Sequence, residues 1–176
     1  MIFDDTQCSL GEGPLWHPLR EQLFWFDINN HRLHTVGQLW QFETFVSAAG
    51  WVDKDHLLIA SALELFLFNL QTGDRKTICP LEADNPMTRS NDGRADPQGG
   101  FWIGTMGQNL ETGAGAIYRF YKGELRKVYS DISVSNSICF SPDGKNAFYT
   151  DTPTQIIMRQ ALDEDGWPTG APSVHI

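Results

Sequence analysis

Along the chain, apolar residues come in short bursts: Leu23-Phe24-Trp25-Phe26, Leu57-Leu58-Ile59-Ala60, Leu65-Phe66-Leu67-Phe68, Phe101-Trp102-Ile103, Ala116-Ile117-Tyr118, Ala147-Phe148-Tyr149 and Ile156-Ile157-Met158. Each is three or four residues long, rich in aromatic and β-branched side chains, and bounded by Gly, Pro, Asn or Asp. That is the pattern of strands ending in turns, and no long stretch keeps a helical period. The chain is therefore expected to be all-β.

The bursts pair off, and each pair follows a turn of similar chemistry: His17-Pro18-Leu19-Arg20, Asp53-Lys54-Asp55-His56, Asp96-Pro97-Gln98-Gly99 and Ser141-Pro142-Asp143-Gly144. Pro presets φ at the second turn position, and Asp, Ser and Gly suit tight reversals between antiparallel strands. The turns are spaced by 36, 43 and 45 residues, close to the period of about 40–50 residues of propeller blades. A second turn follows in each unit, at Asp27-Ile28-Asn29-Asn30, Gln71-Thr72-Gly73-Asp74, Tyr121-Lys122-Gly123-Glu124 and Asp163-Glu164-Asp165-Gly166. The expectation is a β-propeller of the six-bladed type with roughly four blades in residues 1–176, forming a single, partial propeller domain.

The repeat assigns equivalent positions. The residue five places before each first turn is Glu12, Ala48, Asn91 or Asn136, and three of these four carry an oxygen donor. Equivalent starts of innermost strands converge on a propeller axis, so one carboxylate and two amide oxygens form a candidate site for a hard divalent cation. Taken singly, Glu12 could be a solvated loop residue, Asn91 a left-handed turn residue and Asn136 a local backbone cap; the shared register favours a site. Around Asn91 lies the densest polar stretch, Arg89 to Gly107, expected to deliver Arg89, Asn91 and Asp92 at a strand end.

Composition removes several alternatives. A net charge of −9 with scattered basic residues argues against nucleic acid or an anionic membrane surface. Cys8, Cys79 and Cys139 are odd in number and widely spaced, so buried free thiols are expected rather than disulfides or a zinc knuckle. The five histidines show no ligand spacing, and His17 is expected to serve its own turn. The six tryptophans are assigned mostly to the core. No serine-hydrolase elbow or phosphate-cradling glycine loop occurs. Neither a basic-then-apolar leader nor a run of about 20 apolar residues is present, so a cytoplasmic location is expected.

Leu10-Gly11-Glu12-Gly13-Pro14 with Trp16, then Arg89-Ser90-Asn91-Asp92-Gly93 with Asp96-Pro97 and Gly104-Thr105-Met106, then Ser135-Asn136 with Ser141-Pro142-Asp143-Gly144, together resemble the gluconolactonase, SMP-30 and regucalcin family. The resemblance implies a six-bladed propeller with one divalent cation, Ca²⁺, Zn²⁺, Mn²⁺ or Mg²⁺, that hydrolyses aldonolactones or similar sugar lactones. It implies that Glu12 and Asn136 bind the metal, that Asn91 lies at the metal or its bound water and substrate, that Arg89 bonds lactone or sugar oxygens, and that Asp92 supports them. It also implies a metal-binding aspartate acting as general base, which the repeat length places at about residue 181, past Ile176. On that reading the chain is C-terminally truncated, its lactonase activity is low, and its open propeller edges favour self-association. The alternatives are a calcium-binding or scaffolding propeller without turnover, or a hydrolase of other lactones or organophosphate esters.

Overall fold

A computed structural model describes residues 2–176 and contains four four-stranded antiparallel sheets, each a simple meander. They fall into two units, Met1–Ala83 and Asp84–Ile176. In the first unit, β1 (Gly11–His17), β2 (Gln22–Asp27), β3 (Arg32–Thr35) and β4 (Gln38–Gln41) form one sheet, and β5 (Val46–Trp51), β6 (His56–Ser61), β7 (Glu64–Asn69) and β8 (Arg75–Pro80) the next. In the second, β9 (Thr88–Ala95), β10 (Phe101–Gly107), β11 (Gly115–Tyr121) and β12 (Glu124–Ile132) precede β13 (Ser135–Phe140), β14 (Asn146–Asp151), β15 (Ile156–Ala161) and β16 (Ser173–Val174). The all-β architecture and its four blades agree with the sequence pattern. No described helix is long and apolar enough to cross a membrane.

Every apolar burst lies in the second or third strand of a blade. All seven residues of β10 are buried, so its aromatic run shows no alternation. The outer strands β8 and β12 are mostly exposed and polar, which suits edge strands but hides them from a search for apolar runs. All four first turns join the first and second strands of their blades. The second turns are less uniform than expected. Gln71–Asp74 and Tyr121–Glu124 link the third and fourth strands, but Asp27–Asn30 links β2 to β3, and the corresponding hairpin in the first blade is the two-residue turn at Val36 and Gly37.

Within the first unit, Phe24, Phe26 and Leu33 of one blade pack in a single cluster with Leu57, Ile59 and Phe66 of the next. His17, expected to serve its own turn, is instead fully buried between the blades: Nε2 bonds the Asp53 carbonyl at 2.9 Å, and the ring lies beside Phe24 and Trp51. Two further expectations need correction. All three cysteines are free, but Cys8 and Cys79 are half-buried and Cys139 is exposed: Cys8 precedes β1, Cys79 lies on the outer strand β8, and Cys139 alternates with the buried Ile138 on β13. Among the tryptophans only Trp102 is fully buried, while Trp16 and Trp51 are exposed at strand ends.

The second unit is tied by a buried ion pair. Asp96, in the turn after β9, accepts from Gly100 N (2.7 Å), Trp102 Nε1 (3.1 Å) and Arg119 Nε (2.7 Å), and the pair has no exposed side-chain surface. Arg119 reaches across to the next blade, donating from Nη2 to the Asp165 carbonyl at 2.8 Å, with its guanidinium 4.5 Å from the ring centres of Tyr121 and Trp167. One motif of the repeat, Asp-Pro-Gln-Gly, thus anchors two blades.

Tyr129 and Tyr149 stack at 4.5 Å, and Tyr129 donates to Gln160 Oε1 at 2.7 Å. Burial pushes both phenols above their ordinary value of 10.0. The unfolded chain therefore releases these protons near pH 10 while the folded chain still holds them, so stability falls as pH rises above that point. Each tyrosine contributes up to about 1.4 kcal/mol per pH unit to that fall, for as long as the folded chain keeps its proton. Denaturant titrations between neutral and strongly alkaline pH should show it, and Tyr129→Phe should roughly halve it; an unchanged slope would contradict the assignment.

Candidate active site

The three oxygen-bearing register positions share a local device. The ladder between the first and second strands slips between Glu12 and Leu15 in β1, opposite Gly104 between Ser90 and Gly93 in β9, and between Asn136 and Cys139 in β13. At each slip two residues of the innermost strand oppose one of its neighbour, a bulge that re-aims the side chain at that point. In β5 a similar slip falls between Val46 and Ala48, where Ala48 supplies no donor. Gly13 and Ser137, directly after Glu12 and Asn136, take left-handed φ values of 57° and 62°. A Cβ on Gly13 would also meet the Ser47 carbonyl and, at 2.9 Å, the Phe26 ring, so the Gly after Glu12 is required both by its φ and by the approach of the next blade.

In the second unit the bulges bring four of the five candidate residues together. Arg89 is buried in β9 and donates from Nη1 to the Ser90 carbonyl and to Asn91 Oδ1, both at 2.9 Å. Asn91 Nδ2 donates to the Ser135 carbonyl at 2.8 Å and, at 3.4 Å, to Asn136 Oδ1. Asn136 Nδ2 donates in turn to Thr152 Oγ1 at 2.9 Å. The result is a directed chain, Arg89 to Asn91 to Asn136 to Thr152, in which each amide has its orientation fixed by what it donates to.

Asp92 points to the neighbouring blade, where Oδ2 accepts from Ile138 N at 2.7 Å, stitching one bulge to the other. Burial raises its pKa above the ordinary carboxylate value despite that hydrogen bond. Thus the polar cluster is not delivered at the end of a strand, as expected, but lies inside β9. The turn that follows comes several residues further on, because the innermost strand is polar where it faces the site and carries no apolar burst.

Glu12 is described within the first unit. Its side chain is exposed on β1 and has no hydrogen-bond partner among the described residues. A free carboxylate there is a donor suited to a hard cation, and within the second unit so is Asn136 Oδ1, which accepts only a long 3.4 Å bond. Asn91 Oδ1 is different, since it is taken by a guanidinium.

Three contributors carry no clear signal in the sequence. Ser135 offers its carbonyl to Asn91, and Thr152 holds the Asn136 amide. Asp151 braces the entry to β13 by accepting from Ser133 N at 3.1 Å and Val134 N at 2.7 Å. Only Asp151-Thr152-Pro153, a turn signal directly after a strand burst, could have flagged this corner. Conversely, Gly104-Thr105-Met106 serves packing: a Cβ on Gly104 would overlap the Ser135 side chain, and Thr105 Oγ1 is bonded to Ala116 N at 2.8 Å.

Four-stranded antiparallel blades with a bulged innermost strand define a β-propeller scaffold, and residues 10–176 match the family described as the SMP-30/Gluconolactonase/LRE-like region, to which the chain belongs. The chain is 34% identical over 169 residues to a 6-deoxy-6-sulfogluconolactonase of Pseudomonas putida, covering 90% of this chain and 57% of the relative. It is 34% identical over 175 residues to the pentonolactonase XacC of Haloferax volcanii, covering 96% and 58%. The crystal structure of a calcium-binding protein, regucalcin, from Agrobacterium tumefaciens superposes with a TM-score of 0.94 at 43% identity, over 97% of this chain and 60% of that one. The chain thus spans just under 60% of the length of these two curated relatives.

Proposed function

We propose that the protein opens sugar lactones by cation-assisted attack of water. The observation that carries this reading is the buried chain from Arg89 through Asn91 to Asn136, built on the bulges of two adjacent blades. A purely structural cation has no use for a buried guanidinium in the hydrogen-bonded chain that leads to its donor Asn136, whereas a lactone offers carbonyl, ring and hydroxyl oxygens for it to bond. The names of the Pseudomonas and Haloferax relatives, both lactonases, support the same class of substrate.

In this proposal Glu12 and Asn136 are each candidate oxygen donors for a divalent cation, which when bound would polarise a lactone carbonyl and lower the pKa of a bound water. Because the Asn91 oxygen already accepts from Arg89, Asn91 belongs on the substrate side, where its amide sets the position of the guanidinium. Arg89 then bonds the oxygen that gains charge as the ring opens. Asp92 holds the two bulges in register through Ile138 N. Ca²⁺, Mg²⁺, Mn²⁺ and Zn²⁺ all suit such oxygen donors.

A panel of aldonolactones assayed with and without chelator tests this. Turnover that chelator abolishes and added metal restores is the expected result; turnover indifferent to chelator would remove the cation from the mechanism. The second reading, a calcium-binding propeller without turnover, is favoured by the likeness to the Agrobacterium protein, which is described as calcium-binding. Metal binding with no hydrolysis of any lactone in the panel would select it.

A further inference from the structure

A second set of metal-ligating groups sits in the first unit, and its chemistry differs from that of the lactone site. One ligand atom each from Cys8, Asp27 and His34 lies within 4.8 Å of the other two. They come from the segment before β1, the end of β2 and the middle of β3, so no short motif links them. The β-ladder does: His34 pairs with Trp25, and Asp27 follows two residues later on the same face of β2.

The imidazole and the carboxylate are held in place. The His34 ring stacks on Trp25 at 5.7 Å with an interplanar angle of 10°. Asp27 accepts from Ser9 N at 3.0 Å, Leu10 N at 3.1 Å and Asn30 Nδ2 at 2.7 Å. Burial pushes the Asp27 carboxyl up, but these hydrogen bonds outweigh it and leave the group more acidic than usual. The carboxylate is therefore anionic at neutral pH. Asp4 adds negative charge near Cys8 and His34, and Arg32 is the cation acting on both.

The independent sign of a ligand is on the histidine. His34 is 5% exposed, and its Nε2 is buried with no hydrogen-bond partner among the described residues. Buried ring nitrogens are ordinarily satisfied, and here the groups gathered beside the imidazole are a thiol and a carboxylate. We infer that Cys8, Asp27 and His34 form a binding site for a borderline cation of the Zn²⁺ class, separate from the all-oxygen donor set of Glu12 and Asn136. A sulfur, a nitrogen and an oxygen are the donors zinc takes, whereas Ca²⁺ and Mg²⁺ prefer oxygen alone. Binding releases the Cys8 thiol proton to solvent and forms the metal–thiolate bond. Water completes the tetrahedron. The bound ion would pin the segment before β1 to the β2–β3 hairpin.

Co²⁺ is the probe, because a cobalt–thiolate bond gives a charge-transfer absorption in the near ultraviolet that oxygen ligands do not. Under reducing conditions, titration of the protein and of its Glu12→Gln variant should both develop this band, and Zn²⁺ should displace it. Cys8→Ser, outside the strands and nearly isosteric, should abolish the band and weaken Zn²⁺ binding at least about 100-fold, beyond the usual cost of losing an outer-shell partner. His34→Gln should do the same, with circular dichroism checking that each variant is folded. Absence of the band in the parent protein, or a Cys8→Ser variant that binds Zn²⁺ as tightly as the parent, would overturn the site.

Discussion

Replacing Arg119 by methionine is expected to lower the unfolding free energy by about 3–5 kcal/mol, the cost of stranding one member of a buried ion pair. The side chains of Arg119 and Asp96 have no exposed surface, so no water can stand in for the missing guanidinium. Asp96 would keep Gly100 N and Trp102 Nε1 as donors but would lose its cationic partner. The variant would also lose the bond to the Asp165 carbonyl and the stacking on Tyr121 and Trp167 that joins the two blades of the second unit. Adding Asp96→Asn to the Arg119→Met background should recover part of the loss, since an uncharged amide is cheaper to bury alone than a carboxylate. Urea midpoints of the parent, the single and the double variants measure this. A double variant less stable than Arg119→Met would show that the charge is not what the pair is holding.

The second large effect is on the proposed lactone opening. Arg89→Met should reduce kcat/KM for lactone opening by about 100- to 1000-fold, the range for loss of one donor to a developing oxyanion. Arg89→Lys should recover only part of the rate, because the three donors of an ammonium radiate from one nitrogen and do not reproduce the planar fork that meets the Ser90 carbonyl and Asn91 Oδ1. Separate measurement of kcat and KM distinguishes the roles: a loss confined to KM places Arg89 on ground-state sugar hydroxyls, and a loss in kcat places it on the reacting carbonyl. Two variants with parental kinetics would take Arg89 out of the site.

How much of the fold is legible in the sequence depends on which strand a residue occupies. The bursts from Leu23 to Phe26 and from Phe101 to Ile103 are β2 and β10, central strands of their blades, and their composition leaves little other choice. The outer strand Arg75–Pro80 and the two-residue β16 have no such signal; they are strands because a neighbouring edge offers them hydrogen bonds. The innermost strands were visible only through the spacing of the turns that follow them. That register picked out Glu12, Asn91 and Asn136 by number, but it could not supply the bulges beside them, since a bulge is a property of a ladder between two strands. Nor could it place His17, which looked like a turn residue and is one of the bonds between the first two blades.

The sequence by itself determined that the chain is all-β, that it repeats four times, and which residues stand at the equivalent polar position of each repeat, because turn chemistry and strand burial are local and leave their mark residue by residue. Tertiary structure alone decided that Arg89 holds Asn91, that Asn91 reaches Asn136 in the next blade, and that Cys8, Asp27 and His34 meet. Those relations join residues brought together by strand pairing and blade packing, and nothing in the spacing of the chain encodes such a distance before the sheets form.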